Sequence, residues 1–169
     1  MKILLSITAF FFTTIATAQT NTLSKSTYSI KYPSTWMVEP SSDASQFTIK
    51  APSDTGGIDN YVENLNMVIN QLTGTSSTTA EEYAKFSKAY LPQKIKQFAV
   101  LENKKGNTPG KDSWYMVFKG LQMGKKLQWK QYYIVKAGKV HILTFSGEAI
   151  RYKSYIKTVD TMISSYVAK

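Results

Sequence analysis

The chain has 169 residues, of which 43% are apolar and 13% aromatic, and it carries a formal net charge of +10 at pH 7. This composition is typical of a globular protein and excludes an intrinsically disordered one. The chain has no cysteine, which excludes structural disulfides and thiol chemistry.

The first 18 residues, MKILLSITAFFFTTIATA, predict an export signal. Lys2 precedes an apolar stretch, and Ala16-Thr17-Ala18 is the small-x-small pattern at which signal peptidase cleaves. The stretch is shorter than the roughly 20 apolar residues that span a bilayer, and serine and threonine interrupt it, which disfavours a membrane anchor. We therefore expect cleavage after Ala18 and a periplasmic or secreted protein without a transmembrane span.

The charge is distributed unevenly along the chain. Residues 19–84 carry three lysines and seven acids, a net charge of −4, whereas residues 85–169 carry seventeen basic residues and four acids, a net charge of +13. Such a basic half attracts acidic partners through a field that salt screens. Nucleic acid is disfavoured because Arg151 is the only arginine, and arginine makes most bidentate contacts to bases and phosphates. The alternative is a lysine-coated surface that only confers solubility.

The mature N-terminus predicts a tail followed by a strand and a turn. Residues 19–26, QTNTLSKS, are polar without periodicity and predict a flexible tail, after which residues 27–169 form a single domain. In YSIKYPSTW, Tyr28, Ile30 and Tyr32 alternate with polar residues, and Pro33 ends the strand so that Trp36 folds back onto it. These aromatic residues form either core or a ligand-stacking surface, and their usual burial favours the core.

Two further strands and a helix follow. Apolar residues alternate in 46–51 and 64–72, which predicts the strands. Thr78 and Glu81 have the spacing of a capping box and predict the start of a helix. An apolar stripe of Tyr83, Phe86 and Tyr90 then predicts its buried face, and Pro92 its end.

The second half predicts an antiparallel meander and a terminal helix. Strands are expected at 98–105, 113–121, 127–136 and 139–146, joined by short turns, and helical spacing of apolar residues runs from 152 to 167. Two of these strands are apolar on both faces, so layers must cover the sheet on both sides. We therefore predict an α+β fold, an α/β/α sandwich with a central antiparallel sheet flanked by helices.

Three of these segments together resemble the PsbP-like superfamily and its bacterial envelope relatives of DcrB type. They are Y-P-x-x-W at Tyr32–Trp36, the strand end ILTFSGE at 142–148 and the helix end MISSYV at 162–167. The resemblance implies an antiparallel sheet flanked by helices and a non-catalytic accessory protein that docks on larger assemblies. It implies no cofactor here, because the metal-binding positions of some photosynthetic members do not map onto this chain.

The residues offer little for catalysis or metal binding. His141 is the only histidine, it lies in a predicted strand, and no GxSxG elbow accompanies it, so we expect it on a sheet face rather than in a catalytic triad. Asp54 and Asp59 flank Gly56-Gly57, with Glu63 nearby. They form either a cation site or a solvated turn, and the absence of calcium-loop spacing favours the turn.

One group of lysines is a candidate binding site. In an up-and-down meander, the turns after residues 105 and 136 lie at the same end of the sheet, with Lys125 and Lys126 at the other end. The first turns gather Lys104, Lys105, Lys111, Lys136 and Lys139. Their field would steer an anionic partner, although lysine is also common in turns that bind nothing.

The sequence therefore predicts a non-catalytic binding protein that docks on an anionic envelope component, whether a protein, a lipid headgroup or a polysaccharide. An alternative is a carrier of a small apolar ligand, held in a cavity between the sheet and a helix and lined by tyrosine and methionine. A hydrolase is the least favoured class, because no GxSxG elbow accompanies the only histidine, His141.

Overall fold

The computed structural model describes residues 19–53, 61–72, 78–107 and 112–169. The predicted signal at 1–18, the loop with Asp54 and Asp59, and Lys111 lie outside these residues. The described strands are β1 (Thr20–Ser24), β2 (Tyr28–Pro33), β3 (Met37–Val38), β4 (Gln46–Lys50), β5 (Asn64–Gln71), β6 (Lys96–Lys105), β7 (Asp112–Gln122), β8 (Lys125–Lys136), β9 (Lys139–Glu148) and β10 (Val167–Ala168). The helices are α1 (Ala80–Tyr90) and α2 (Tyr152–Ser165), and a 3-10 turn (Leu91–Gln93) follows α1.

The strands form two antiparallel sheets. The larger sheet has seven strands in the order β3-β4-β5-β9-β8-β7-β6, and the smaller has three in the order β1-β2-β10. Strands β6 to β9 are neighbours in chain order, which confirms the predicted meander. The predicted α+β fold with a flanked antiparallel sheet is confirmed.

Each face of the large sheet carries its own hydrophobic core. On one face, α2 and the small sheet pack on residues that include Leu65, Leu143 and Phe145. On the other face, α1 packs on residues that include Phe118 and Tyr133. We call these the α2 side and the α1 side. This double cover explains why β7 and β9 are apolar on both faces.

The tail predicted at residues 19–26 is wrong, because most of it forms strand β1. Strand β1 pairs with β2 along its whole length, from Thr20 opposite Pro33 to Ser24 opposite Ser29. The side chain of Lys169 adds hydrogen bonds to the Ser24 hydroxyl and the Lys25 carbonyl. A polar segment forms this strand because the exposed edge of β2 offers main-chain partners that hydrophobic periodicity does not reveal.

The core interpretation of YSIKYPSTW is confirmed. Tyr28, Ile30 and Trp36 are buried, and Tyr32 packs partly buried against the same core. The Trp36 amide donates to the Pro33 carbonyl at 2.9 Å, which closes the predicted turn.

Helix α1 differs from its prediction in its start and in its buried face. The capping box is formed by Thr79 and Glu82, one residue later than predicted, and hydrogen bonds from Thr79 lower the pKa of the Glu82 carboxyl. The predicted stripe is wrong at two of its three residues, since Phe86 is 69% exposed and Tyr90 is also exposed, whereas Tyr83 packs partly buried against the Tyr133 ring. Ala80 and Ala84 are buried instead. Small side chains let the helix approach the aromatic α1 side of the sheet closely.

The cap of α1 is open to a direct test. Thr79→Ala removes the hydroxyl that accepts from the Glu82 amide, and we expect it to lower the free energy of unfolding by about 1 kcal/mol. Thr79→Ser keeps the hydroxyl, so we expect its free energy of unfolding to stay close to the wild-type value. Urea titration of both variants measures the difference. If Thr79→Ala and Thr79→Ser lower the free energy of unfolding equally, the hydroxyl cap contributes little to stability.

Candidate functional site

The described members of the predicted lysine group lie at one end of the large sheet but are divided between its faces. Lys104 is opposite Tyr115, a residue on the α2 side, whereas Lys105 is opposite Trp114 on the α1 side. Lys136 and Lys139 face each other across the last turn of the meander. Lys111 lies outside the described residues, so the structure neither supports nor contradicts its place in this group.

Lys104 and Lys136 are engaged within the protein. The Lys104 ammonium is 2.9 Å from Glu102 Oε2, which also accepts a hydrogen bond from the Tyr115 hydroxyl at 2.9 Å. The hydrogen bond with Glu102 is the main cause of the raised pKa of Lys104. Lys136 donates to the Ala168 carbonyl at 2.7 Å and so holds the short strand β10. Glu102 therefore offsets the charge of Lys104, and the hydrogen bond to Ala168 restrains the Lys136 ammonium.

A second lysine group lies at the opposite end of the sheet. Strands β6 and β8 flank β7, and Lys96 of β6 and Lys126 of β8 are each directly opposite Leu121 of β7. Lys119 lies two residues before Leu121 in β7, so the two side chains are on the same face of the sheet. We call Lys96, Lys119 and Lys126 the lysine trio. All three are exposed, and none of them forms a salt bridge within the described parts of the chain.

Sequence reasoning missed the lysine trio because it began β6 at Phe98, two residues after the strand begins. A register shift between Lys96 and Ala99 then brings Lys96 to Leu121. A bulge of this kind leaves no clear mark in the alternation of apolar residues.

A polar cleft of about 320 Å³ lies on the α2 side, between the outer strands and α2. The Lys130 ammonium is 2.6 Å from Asp160 Oδ1 and 4.6 Å from the centre of the Tyr115 ring. The rings of Tyr115 and Tyr132 stack with centroids 5.8 Å apart. The cleft is lined by Asn107, Tyr115, Lys130, Tyr132, Asp160, Ile163 and Ser164. Charged groups in this lining suit a polar ligand better than the apolar one that the carrier hypothesis requires.

A second groove, of about 390 Å³, lies between the small sheet and α2. Tyr32, Pro33, Trp36 and Met162 line it together with several threonines. It therefore contains a tyrosine and a methionine, the residue types that the carrier hypothesis names.

Glu63, which the sequence placed near the acidic loop, is buried in a polar network. Its side chain is 2% exposed, with Arg151 Nε at 3.7 Å and the Glu148 amide at 3.4 Å from Oε1. Arg151 also donates to the Tyr155 hydroxyl at 2.6 Å, and Glu148 pairs with Lys125 at 2.9 Å. Sequence reasoning missed the pairing of Glu63 with Arg151, because no local pattern joins residues so far apart in the chain.

The described residues contain no group of three or more His, Asp or Glu side chains arranged to hold a metal ion. The loop with Asp54 and Asp59 lies outside them, so the cation hypothesis for that loop remains a prediction.

His141 lies in β9, on a face of the sheet as predicted, and is 2% exposed. Its Nδ1 atom is 2.7 Å from the hydroxyl of Tyr166, a buried residue whose pKa is raised by desolvation. This contact ties β9 to the segment that follows α2 and gives His141 a structural role.

Neither helix in the described residues is long and apolar enough to cross a membrane.

Comparison with solved structures identifies the fold. A solution structure of cyanobacterial PsbP (CyanoP) from Synechocystis sp. PCC 6803 matches 94% of this chain and 98% of its own, with a TM-score of 0.65 and 16% identity. The chain has a PsbP-like fold. The PsbP-like arrangement also recurs in LpqN of Mycobacterium tuberculosis, which matches 88% of this chain and 90% of its own with a TM-score of 0.67 and 13% identity.

A third structure with the PsbP-like fold is the Ran-binding protein Mog1p of Saccharomyces cerevisiae. It matches 90% of this chain and 96% of its own, with a TM-score of 0.61 and 5% identity. No family model and no curated protein sequence matches the chain. The structural likeness confirms the fold that the sequence motifs indicated. At such low sequence identities it establishes the fold and not the function.

Proposed function

We propose that this protein is an exported, non-catalytic binding protein that docks on an anionic component of the cell envelope through exposed lysines. Two structural neighbours support a binding or envelope role, because LpqN is described as involved in cell envelope biogenesis and Mog1p as a Ran-binding protein. The engagement of His141 with Tyr166 supports a role other than catalysis.

The lysine trio is the observation that carries this proposal. Lys96 and Lys126 are separated by one intervening strand, and neighbouring strands lie about 4.8 Å apart, so their backbones are about 10 Å apart. Three exposed ammonium groups that pair with no acid among the described residues, held this close on a rigid sheet, create a local positive field. A flexible lysine-rich tail would have to lose conformational entropy to present the same charge.

The proposal predicts salt-sensitive binding to a polyanion. Lys96→Glu/Lys126→Glu is expected to weaken binding of the protein to immobilised polyglutamate by about tenfold or more at low salt. The difference from wild type is expected to shrink as salt screens the field. Affinity measured over a range of sodium chloride concentrations, with circular dichroism to verify folding, checks this prediction.

Two further variants make the test specific. Lys25→Glu/Lys88→Glu has the same change in net charge at exposed positions outside the lysine trio, and we expect it to bind nearly as wild type does. Charge reversal of Lys104, Lys105 and Lys111 tests the lysine group predicted from the sequence. Equal weakening by all three variants would contradict a localised site and leave only a generally basic surface.

The groove beside Trp36 favours a second candidate, a carrier of a small apolar ligand. The indole lines the groove, so titration with apolar ligands of suitable size is expected to change tryptophan emission. An unchanged spectrum across such ligands would exclude the carrier.

A further inference from the structure

Two large apolar side chains project into solvent at the end of the sheet that carries the lysine trio. Met123 is 95% exposed at the tip of the β7–β8 hairpin, and Ile150 is 89% exposed in the turn between β9 and α2. The Ala149 amide donates to the Lys126 carbonyl at 3.0 Å, which joins the second turn to the base of the hairpin. The two apolar tips therefore belong to one end of the molecule.

The backbone at Met123 is left-handed, as it is at Ala137 in the β8–β9 hairpin. Met123 has φ = 52°, in the left-handed region, and Gly124 follows with φ = 77°. Two-residue hairpin turns with positive φ favour asparagine, aspartate or glycine at the first position. A methionine there combines an unfavourable backbone conformation with an almost fully exposed apolar side chain. Single exposed apolar residues are common, but this combination indicates a surface used for contact.

Positive charge is concentrated at the end of the molecule that carries the two tips. The lysine trio lies at the ends of β6, β7 and β8, and Lys153 is exposed in the first turn of α2. Glu63 and Glu148, two of the described acids at this end, lie beside Arg151 and Lys125. Apolar tips at the end of the molecule that carries these lysines match the interface of an anionic bilayer, where apolar side chains enter the headgroup region and lysines contact the phosphates.

We propose that this end of the protein docks on the surface of a membrane rich in anionic phospholipid, with Met123 and Ile150 inserted among the headgroups. This inference rests on the proposed function and names a lipid surface as the anionic component. An acidic protein or polysaccharide would be bound by the lysine trio but would not require two exposed apolar tips beside it.

Single-site fluorescence labelling tests the insertion directly, because the chain has no cysteine. Met123→Cys and Ile150→Cys are made separately in the protein that begins at Gln19, which holds all the described strands and helices. A polarity-sensitive nitrobenzoxadiazole label is then attached to each new cysteine. Phe86→Cys is the matched control, since Phe86 is an exposed apolar residue on α1, across the sheet from α2. The probe is a vesicle of phosphatidylcholine with phosphatidylglycerol, compared with pure phosphatidylcholine.

We expect the labels at 123 and 150 to shift their emission to the blue on anionic vesicles, while the label at 86 stays unchanged. Lys96→Glu/Lys126→Glu is expected to weaken vesicle binding by about tenfold or more, given the contribution of each lysine near an anionic surface. Vesicle binding without a shift at 123 and 150 overturns the insertion.

The polyglutamate assay separates the two proposals. Binding to polyglutamate without binding to either vesicle overturns the lipid inference and leaves the proposed function standing. Absence of binding to both probes overturns both.

Discussion

Trp36→Ala is expected to lower the free energy of unfolding by about 3–5 kcal/mol, the usual cost of removing a large buried aromatic side chain. The indole is buried between the turn after β2 and helix α2, and it meets the Tyr155 ring edge-on at a centroid distance of 6.1 Å. Truncation to alanine leaves a cavity and removes this contact. Urea unfolding followed by far-ultraviolet circular dichroism measures the change without relying on tryptophan emission.

A neighbouring residue provides the control. Met37 is adjacent in sequence but 65% exposed, so Met37→Ala is expected to change stability by no more than about 0.5 kcal/mol. A loss for Trp36→Ala below about 1 kcal/mol, well short of the expected cost of core truncation, would contradict the core assignment. Together with lost binding of apolar ligands, such a result would favour the ligand-stacking alternative.

Arg151→Ala is expected to lower the free energy of unfolding by about 3 kcal/mol, toward the lower end of the range for breaking a buried ion pair. The Glu63 carboxylate is 2% exposed, and Arg151 Nε lies 3.7 Å from it. Removal of the guanidinium takes away the cation beside a carboxylate that water does not reach easily. It also removes the hydrogen bond that Arg151 donates to the Tyr155 hydroxyl.

A double-mutant cycle isolates the pair. Combining Arg151→Met with Glu63→Leu is expected to cost less than the sum of the single substitutions, with a coupling of about 1–3 kcal/mol. Lys125→Ala breaks the more exposed pair with Glu148 and is expected to cost about 1 kcal/mol or less. If Arg151→Ala costs no more than Lys125→Ala in denaturant titrations, the buried pair does not stabilise the fold as we infer.

Local patterns predicted the larger elements well because their apolar residues repeat with the period of the element. The four meander strands and α2 were recognised in this way, and both-sided apolarity in β7 and β9 correctly predicted cover on two faces. The motifs around Trp36 and at the end of β9 also indicated the PsbP-like fold. The failures involve elements whose stability comes from partners distant in the chain.

Strand β1 and helix α1 illustrate those failures. The segment QTNTLSKS lacks periodicity, yet the edge of β2 supplies its hydrogen-bond partners. In α1 the large residues Phe86 and Tyr90 suggested the buried face, but close packing on an aromatic sheet surface selected Ala80 and Ala84. Side-chain size alone does not reveal which face of a helix has room for it.

For the candidate site, the sequence by itself determined the basic charge of the C-terminal half and the end of the sheet at which the described turn lysines lie. Only the tertiary structure decided which lysines are available, because their pairing depends on strand geometry as well as on contacts between distant residues. Glu102 and the Ala168 carbonyl engage Lys104 and Lys136, whereas a register shift in β6 groups the lysine trio around Leu121. Charge is a property of composition, but its local density is set by strand register and by the acids that the fold brings near.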